Sequence, residues 1–286
     1  MAGDFWHSRR RLQPLWCGAC LRNLVIFNRI AEIPEHKRNA EYILPYAFQS
    51  CSMLNEVNMP NVKFLGGKAF QSCSLLTDVS FSNCTYIGSY AFGNCKNLTY
   101  ANFPNCNSVT NRAFENCSKL ESVNMPECAY VGSSAFMSCT NLTSIDMSNC
   151  EYVGWYGFSK CYNLSNVNLP KCETLGMDAF NNCSALVNIS LPECSYIGRT
   201  AFQSCSSLIE ISLPKCTYLG SNAFNTCTNL EKAYLLGEKV VTGDEDMFNG
   251  AGKCKIYVRP SLVEEYKVAY RWSSYASRIF PYEGEI

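Results

Sequence analysis

The chain has 286 residues and equal numbers of acidic and basic side chains, so nothing global steers it to nucleic acid or to an anionic membrane. Its 47% hydrophobic content is enough to bury a core, yet no apolar run reaches the roughly 18 residues of a membrane span. The cysteine count, 19, is high but too dilute for a small disulfide-stapled scaffold.

Residues 1–41 come first, as an N-terminal segment and degenerate cap. Arg9, Arg10 and Arg11 precede LQPLWCGACL, which has the outline of a signal peptide or of lipidation at Cys20. The apolar stretch is short and holds Gln13 and Pro14, which argues against export by this segment. Trp16, Cys17, Gly18, Ala19 and Cys20 match the WCGxC site of thioredoxin-type enzymes. That chemistry needs a full α/β domain, and the repeats begin about twenty residues later, so a chance match or part of a cap is the expectation. Leu21, Leu24 and Ile26 are read as a degenerate first strand.

From residue 42 the pair Ala-Phe recurs every 22 residues, from Phe48 and Phe70 to Phe202 and Phe224, with Gly157 replacing the Ala once. Three residues after each Phe comes a Cys (Cys51 to Cys227), and three further a Leu (Leu54 to Leu230). A second Cys follows eleven residues after the first, from Cys84 to Cys216, with Val62 in its place in the first copy. The unit reads LxxVxLPxCxxIGxxAFxxCxx. Its LxxVxL piece predicts a short strand stopped by Pro or Ser. The apolar-Gly pair that follows (Ile87-Gly88, Leu175-Gly176) predicts a bend with φ above zero. AFxxC predicts about one helical turn. Such a unit cannot bury its apolar side alone and must stack on its copies. The expectation is an α/β repeat: a single solenoid of parallel short strands with short helical turns, about nine full 22-residue coils, roughly 40–45 Å long, with capped ends.

The cysteine columns have three readings. Free Cys packs as a small hydrophobe, which gives two buried thiol columns and is the favoured one. Regular disulfides are permitted by distance along a column, although stacked side chains point the same way. Metal binding wants clustered Cys/His spacing, and no His lies within the repeats. The histidines, His7 and His36, lie outside them, so the solenoid holds no His-activated nucleophile. No Gly-rich phosphate loop appears. No catalytic residue, cofactor or metal is assigned, and the chain is read as non-enzymatic. Glu56, Asp78, Asp146 and Glu210 read as a solvated face.

The motif resembles the leucine-rich repeats of the BspA-like family over residues 42–236, and KIYVRPSLVEEYKVAYRWSSYASRIFPYEGEI resembles the closing segment of its bacterial members. The resemblance implies a right-handed, gently curved leucine-rich-repeat solenoid, protein interaction or adhesion, and a cell-surface or secreted location. It also places the second Cys of each unit at an inward position below the strand.

Two columns are candidate ligand surfaces. Six residues before each Phe stand Tyr42, Phe64, Tyr86, Tyr130, Tyr152, Tyr196 and Tyr218, with gaps at Ser108 and Thr174. The next residue is the buried aliphatic one, so these rings face outward, stacked ~5 Å apart. Tyr is enriched at binding hot spots; inter-coil stacking that shields the backbone is the plainer reading. The second column, on the exposed strand positions, includes Asn102, Asn124, Asp146 and Asn168. It suits a protein or glycan partner, or equally a solvated sheet. Sequons such as Asn97-Leu98-Thr99 arise by chance in a repeat rich in Asn, Ser and Thr.

Residues 237–286 read as a C-terminal cap. The period slips to 24 at Phe248, CKIYVRP is a last strand, PSLVEEYKVAYRW a helix with Leu262, Tyr266 and Tyr270 on one face, and SRIFPY an extended tail. The functional expectation is a module that binds a protein or a host-surface ligand, with no nucleic acid. One alternative is a structural subunit of a surface or viral assembly, attached through residues 1–20. Another, resting on the cysteine count alone, is a thiol-redox or metal-binding protein.

Overall fold

A computed structural model describes residues 40–284. The arginine run, Cys17, Cys20, both histidines and the strand expected at Leu21, Leu24 and Ile26 lie outside the described residues.

Each 22-residue unit forms one coil, and the coils stack in parallel register into a leucine-rich-repeat solenoid. A coil contributes two strands, not one. The first kind is two residues long: Tyr42–Ile43, Phe64–Leu65, Tyr86–Ile87, Ser108–Val109, Tyr130–Val131, Tyr152–Val153, Thr174–Leu175, Tyr196–Ile197, Tyr218–Leu219 and Thr242–Gly243. Together they make a ten-stranded parallel sheet, called here the tyrosine sheet. It extends past the nine expected coils because the 24-residue unit ending at Phe248 still stacks on Phe224, at 5.1 Å between ring centroids.

The second kind comes from LxxVxL and makes the asparagine sheet, in two pieces. One piece holds Asp78–Ser80, Tyr100–Asn102 and Ser122–Asn124. The other starts at Ser144–Asp146, runs through Asn166–Asn168, Asn188–Ser190 and Glu210–Ser212, and ends with Lys232–Leu235, Lys255–Val258 and Ile279–Pro281. The three-residue strands alternate. In Glu210–Ser212 the middle Ile points into the core and its neighbours point out, as a half-buried strand requires.

The AFxxC stretch is not a helical turn. It is a run of overlapping β-turns: Ala69 N–H donates to Gly66 O, Gln71 N–H to Lys68 O, and Cys73 N–H to Phe70 O. The alternate amides point to the next coil instead, with Lys68 N–H on Ser89 O, Phe70 N–H on Ala91 O and Ser72 N–H on Gly93 O. Lys68 and Ser72 sit at φ +59° and +62°, and the same two places are left-handed in every coil through Asn222 and Thr226. A left-handed third residue is what a type II turn needs, and a helix cannot contain it.

The repeated glycine has a different role from the one expected. Its φ is not positive. It is there because coils touch at that point: a Cβ on Gly88 would lie 2.6 Å from Gly67 N, and one on Gly198 2.6 Å from the Gly176 carbonyl carbon. The left-handed positions are instead filled by Lys, Ser, Tyr, Asn, Arg, Asp and Thr.

The core is a set of ladders. Phe48 through Phe248 stack with centroids 5.1–5.6 Å apart. Each such pair adds about 0.5–1.5 kcal/mol beyond area burial. At the C-terminus α1 (Val263–Val268) ends earlier than the expected helix, because Ala269 is extended and Arg271 has φ +69°. Tyr270 is therefore 79% exposed rather than on the buried face, and Trp272 takes the inner place beside Tyr266. Trp272 Nε1 donates to Val241 O at 2.7 Å, and Tyr266 OH accepts from Val241 N at 3.0 Å.

Candidate functional site: two faces of stacked side chains

The strand register puts the aromatic column of the tyrosine sheet into a stack with two interruptions. Phe64 and Tyr86 lie parallel at 4.7 Å, Tyr130 and Tyr152 at 5.2 Å, and Tyr196 and Tyr218 at 4.7 Å. Tyr42 is tilted 42° against Phe64. Ser108 is paired between Tyr86 and Tyr130, and Thr174 between Tyr152 and Tyr196. Behind each outward residue sits an aliphatic at 0–2% exposure, from Ile43 to Leu219, which fixes the strand's facing.

Exposure along the stack is uneven. Tyr130 and Tyr196, which follow the two gaps, are 40% and 42% exposed, whereas Tyr86, Tyr152 and Tyr218 are half-buried. Tyr218 donates its OH to Asp244 Oδ2 at 2.6 Å. That bond and the carboxylate's charge push its phenol up to about 12, so it stays neutral at physiological pH. Burial beside Tyr130 also raises Tyr152.

On the asparagine sheet the outward amides form a hydrogen-bonded ladder. Asn102 Nδ2 donates to Ser80 Oγ at 2.9 Å, Asn124 Nδ2 to Asn102 Oδ1 at 2.7 Å, and Asn168 Nδ2 to Asp146 Oδ1 at 2.8 Å. The ladder stops between Asn124 and Asp146, where the sheet itself divides. Asp146 is exposed, as are Glu56, Asp78 and Glu210. A groove of about 530 Å³ near the N-terminal end of this face is lined by Glu56, Leu75, Asp78, Ser80 and Tyr100 among others.

Trp155 was not singled out from the sequence. It is 56% exposed, and its Cδ1 lies over Gly176, where a Cβ would meet it at 2.8 Å. It thus sits two residues along from Thr174. The signal was available: the place after the repeated glycine is otherwise Gly67, Ser89, Ser133, Met177, Arg199 or Ser221. A third aromatic column, Tyr46 and Tyr90, interleaves with Lys68 and Arg112 at 5.3–5.7 Å.

Both cysteine columns are interior, and every cysteine among the described residues is a free thiol. Cys73 Sγ donates to Phe48 O and Cys95 Sγ to Phe70 O, each at 3.1 Å; in the other column Cys84 Sγ donates to Tyr86 O at 3.3 Å. Burial raises Cys84 to about 11 and Cys95 to about 12. A reactive thiol needs the opposite shift.

The family model for the BspA type leucine rich repeat region matches residues 26–143, 63–186 and 129–255. Among solved structures, the chain is similar to a leucine-rich repeat protein from Bacteroides ovatus, at 19% identity and a TM-score of 0.55, over 85% of this chain and 76% of that one. A leucine rich cell surface protein from Faecalibacterium prausnitzii matches at 21% identity and a TM-score of 0.36, over 77% and 82%. The pneumococcal vaccine antigen PcpA matches at 13% and 0.45, over 84% and 75%. At these identities the likeness concerns the fold. No curated protein matches the chain.

Proposed function

The chain belongs to the BspA-type leucine-rich repeat family, and we propose that it is a non-enzymatic interaction module that binds a protein or a host-surface ligand at the cell surface or after secretion. The tyrosine sheet is the contact face in this reading. The observation that carries it is the pair of rings Tyr130 and Tyr196, 40% and 42% exposed and each stacked face to face on the ring of the next strand. Exposed rings with few rotamers lose little entropy on binding and suit a hot spot. The asparagine sheet, with Asn102, Asn124, Asp146 and Asn168, flanks it as a hydrogen-bonding surface. The buried thiols of raised pKa offer no nucleophile to an enzymatic or redox reading among the described residues.

The triple variant Tyr130→Ser, Tyr152→Ser, Tyr196→Ser tests the proposal. Beads coated with the wild-type chain are expected to adhere to cultured cells, and variant-coated beads to lose about tenfold. Equal adhesion of wild type and folded variant overturns the choice of face.

A further inference from the structure

The two interruptions in the tyrosine stack share a geometry. At Ser108 one wall is Tyr86, backed by Phe64; the other is Tyr130, backed by Tyr152. At Thr174 one wall is Tyr152, backed by Tyr130; the other is Tyr196, backed by Tyr218. Every wall is thus a ring already stacked on a second ring, which holds it in place. The walls are two strands apart, ~9.5–10 Å. Rings within the stack sit 4.7–5.2 Å apart. Each slot therefore takes one ring-shaped group, and only one, in contact with both faces. The walls contributed by Tyr130 and Tyr196 are among the most exposed rings of the column.

The floor decides which ring. Hydroxyls in the neighbouring column are committed: Thr85 donates to Lys63 O, Ser195 to Glu173 O and Thr217 to Ser195 O. Ser108 Oγ and Thr174 Oγ1 hydrogen-bond to no other group among the described residues. Exposed Asn107 and Glu173 precede them. A benzene ring seated over the floor would displace water from the half-buried Ser108 and Thr174 hydroxyls and give them no partner, whereas a polyhydroxylated ring offers partners from its rim. Two aromatic walls further require that both faces of the ring be apolar. A pyranose with all its substituents equatorial meets this, because its axial C–H bonds point to both faces and its hydroxyls to the edge. One axial hydroxyl would place a polar group against a tyrosine face.

We propose that Ser108 and Thr174 floor two subsites, each of which takes one β-linked gluco-configured pyranose ring. The Thr174 subsite has Trp155 beside it as a further stacking surface. The proposal rests on the interaction reading above and names the ligand class of that face.

The test is saturation-transfer NMR with cellobiose and with methyl β-galactoside, each at millimolar concentration, on the full chain. Cellobiose axial protons are expected to receive saturation, and the galactoside, with its axial hydroxyl, several-fold less. The variant Ser108→Tyr, Thr174→Tyr completes the stack with the residue the column otherwise carries, so the fold should hold, as checked by thermal melting. It is expected to lose the cellobiose signal about tenfold. Equal signals in wild type and filled variant, or equal signals from the two sugars, overturn the proposal. So does a wild type without signal. If the filled variant then still loses cell adhesion, an aromatic side chain of a protein partner is the occupant and the interaction reading stands; if adhesion is unchanged, the slots are not the contact, and the interaction reading stands or falls on the Tyr130→Ser, Tyr152→Ser, Tyr196→Ser variant.

Discussion

The two sheets of this solenoid behave differently at one junction, and the difference shows what holds coils together. Between the coil of Phe114 and that of Phe136, the tyrosine sheet continues through Ser108–Val109 on Tyr130–Val131. The adjoining turns add Arg112 N–H on Ser133 O, Phe114 N–H on Ala135 O and Asn116 N–H on Met137 O, at 2.7–2.9 Å. Across the same two coils, the asparagine strands Ser122–Asn124 and Ser144–Asp146 do not pair, and Thr143 N–H on Glu121 O, at 3.2 Å, is a longer link. The longer strands are the ones that part. Continuity therefore comes from the turn run beside the strand, whose left-handed residues aim alternate amides at the next coil, and not from strand length.

The largest effect should come from the ladder both sheets share. Phe136→Ala removes a ring stacked at 5.2 Å on both sides and is expected to cost about 3–5 kcal/mol in urea unfolding. Next is the close approach that belongs to the tyrosine side. Gly198→Ala puts a Cβ 2.6–2.8 Å from the Gly176–Met177 backbone and should cost about 3 kcal/mol, whereas Ser190→Ala on the exposed asparagine face should stay within about 0.5 kcal/mol. Equal costs would mean that the tyrosine side is not the tighter one.

Alkaline pH tests the interior thiols. Their folded pKa values are raised from an ordinary 9.0 to about 11 at Cys84 and about 12 at Cys95 and Cys161. The unfolded chain therefore releases these protons first as pH rises. The stability they contribute is fully present below pH 9 and is lost between about 9 and 12. Urea midpoints should be flat with respect to thiol ionisation below 9 and fall steeply above it. Tyr218→Phe removes the bond to Asp244 and should cost about 1 kcal/mol, concentrated at the C-terminal end of the tyrosine sheet. The smallest effect distinguishes the two junction strands: amides of residues 122–124 and 144–146 should exchange faster than those of 166–168, by native-state hydrogen exchange.

The period, the strand LxxVxL and the ladder columns were legible in the sequence because each coil repeats the same environment, so one buried position is written nine times over. The tyrosine strands were not: two residues are too few to display alternation. The glycine was recognised as special but assigned the wrong cause, since a close inter-coil approach and a positive φ leave the same residue. The left-handed sites were hidden because Lys68, Tyr90 and Arg112 are not residues that advertise them. Tyr270 was misplaced by extending helical spacing beyond Val268, past the point where Ala269 turns extended. For the candidate faces, columns such as Tyr86 to Tyr218 and Asn102 to Asn168 were readable as columns. The pairing of rings into backed doublets, and the free hydroxyls at Ser108 and Thr174, depend on tilt and hydrogen bonding that a sequence does not carry.

The constant offset of 22 has a consequence for how such a chain changes over time. Side-chain bonds from Lys63–Glu41 to Lys215–Glu193 join residues one repeat apart, so a coil is recognised only by its immediate neighbours. Duplicating or deleting one whole unit leaves each remaining neighbour relation of the same kind. Length is then an inheritable variable that shifts in steps of ~4.8 Å. The 24-residue unit before Phe248 breaks that interchangeability, and it marks where recombination between units must stop if the closing segment is to keep its seat.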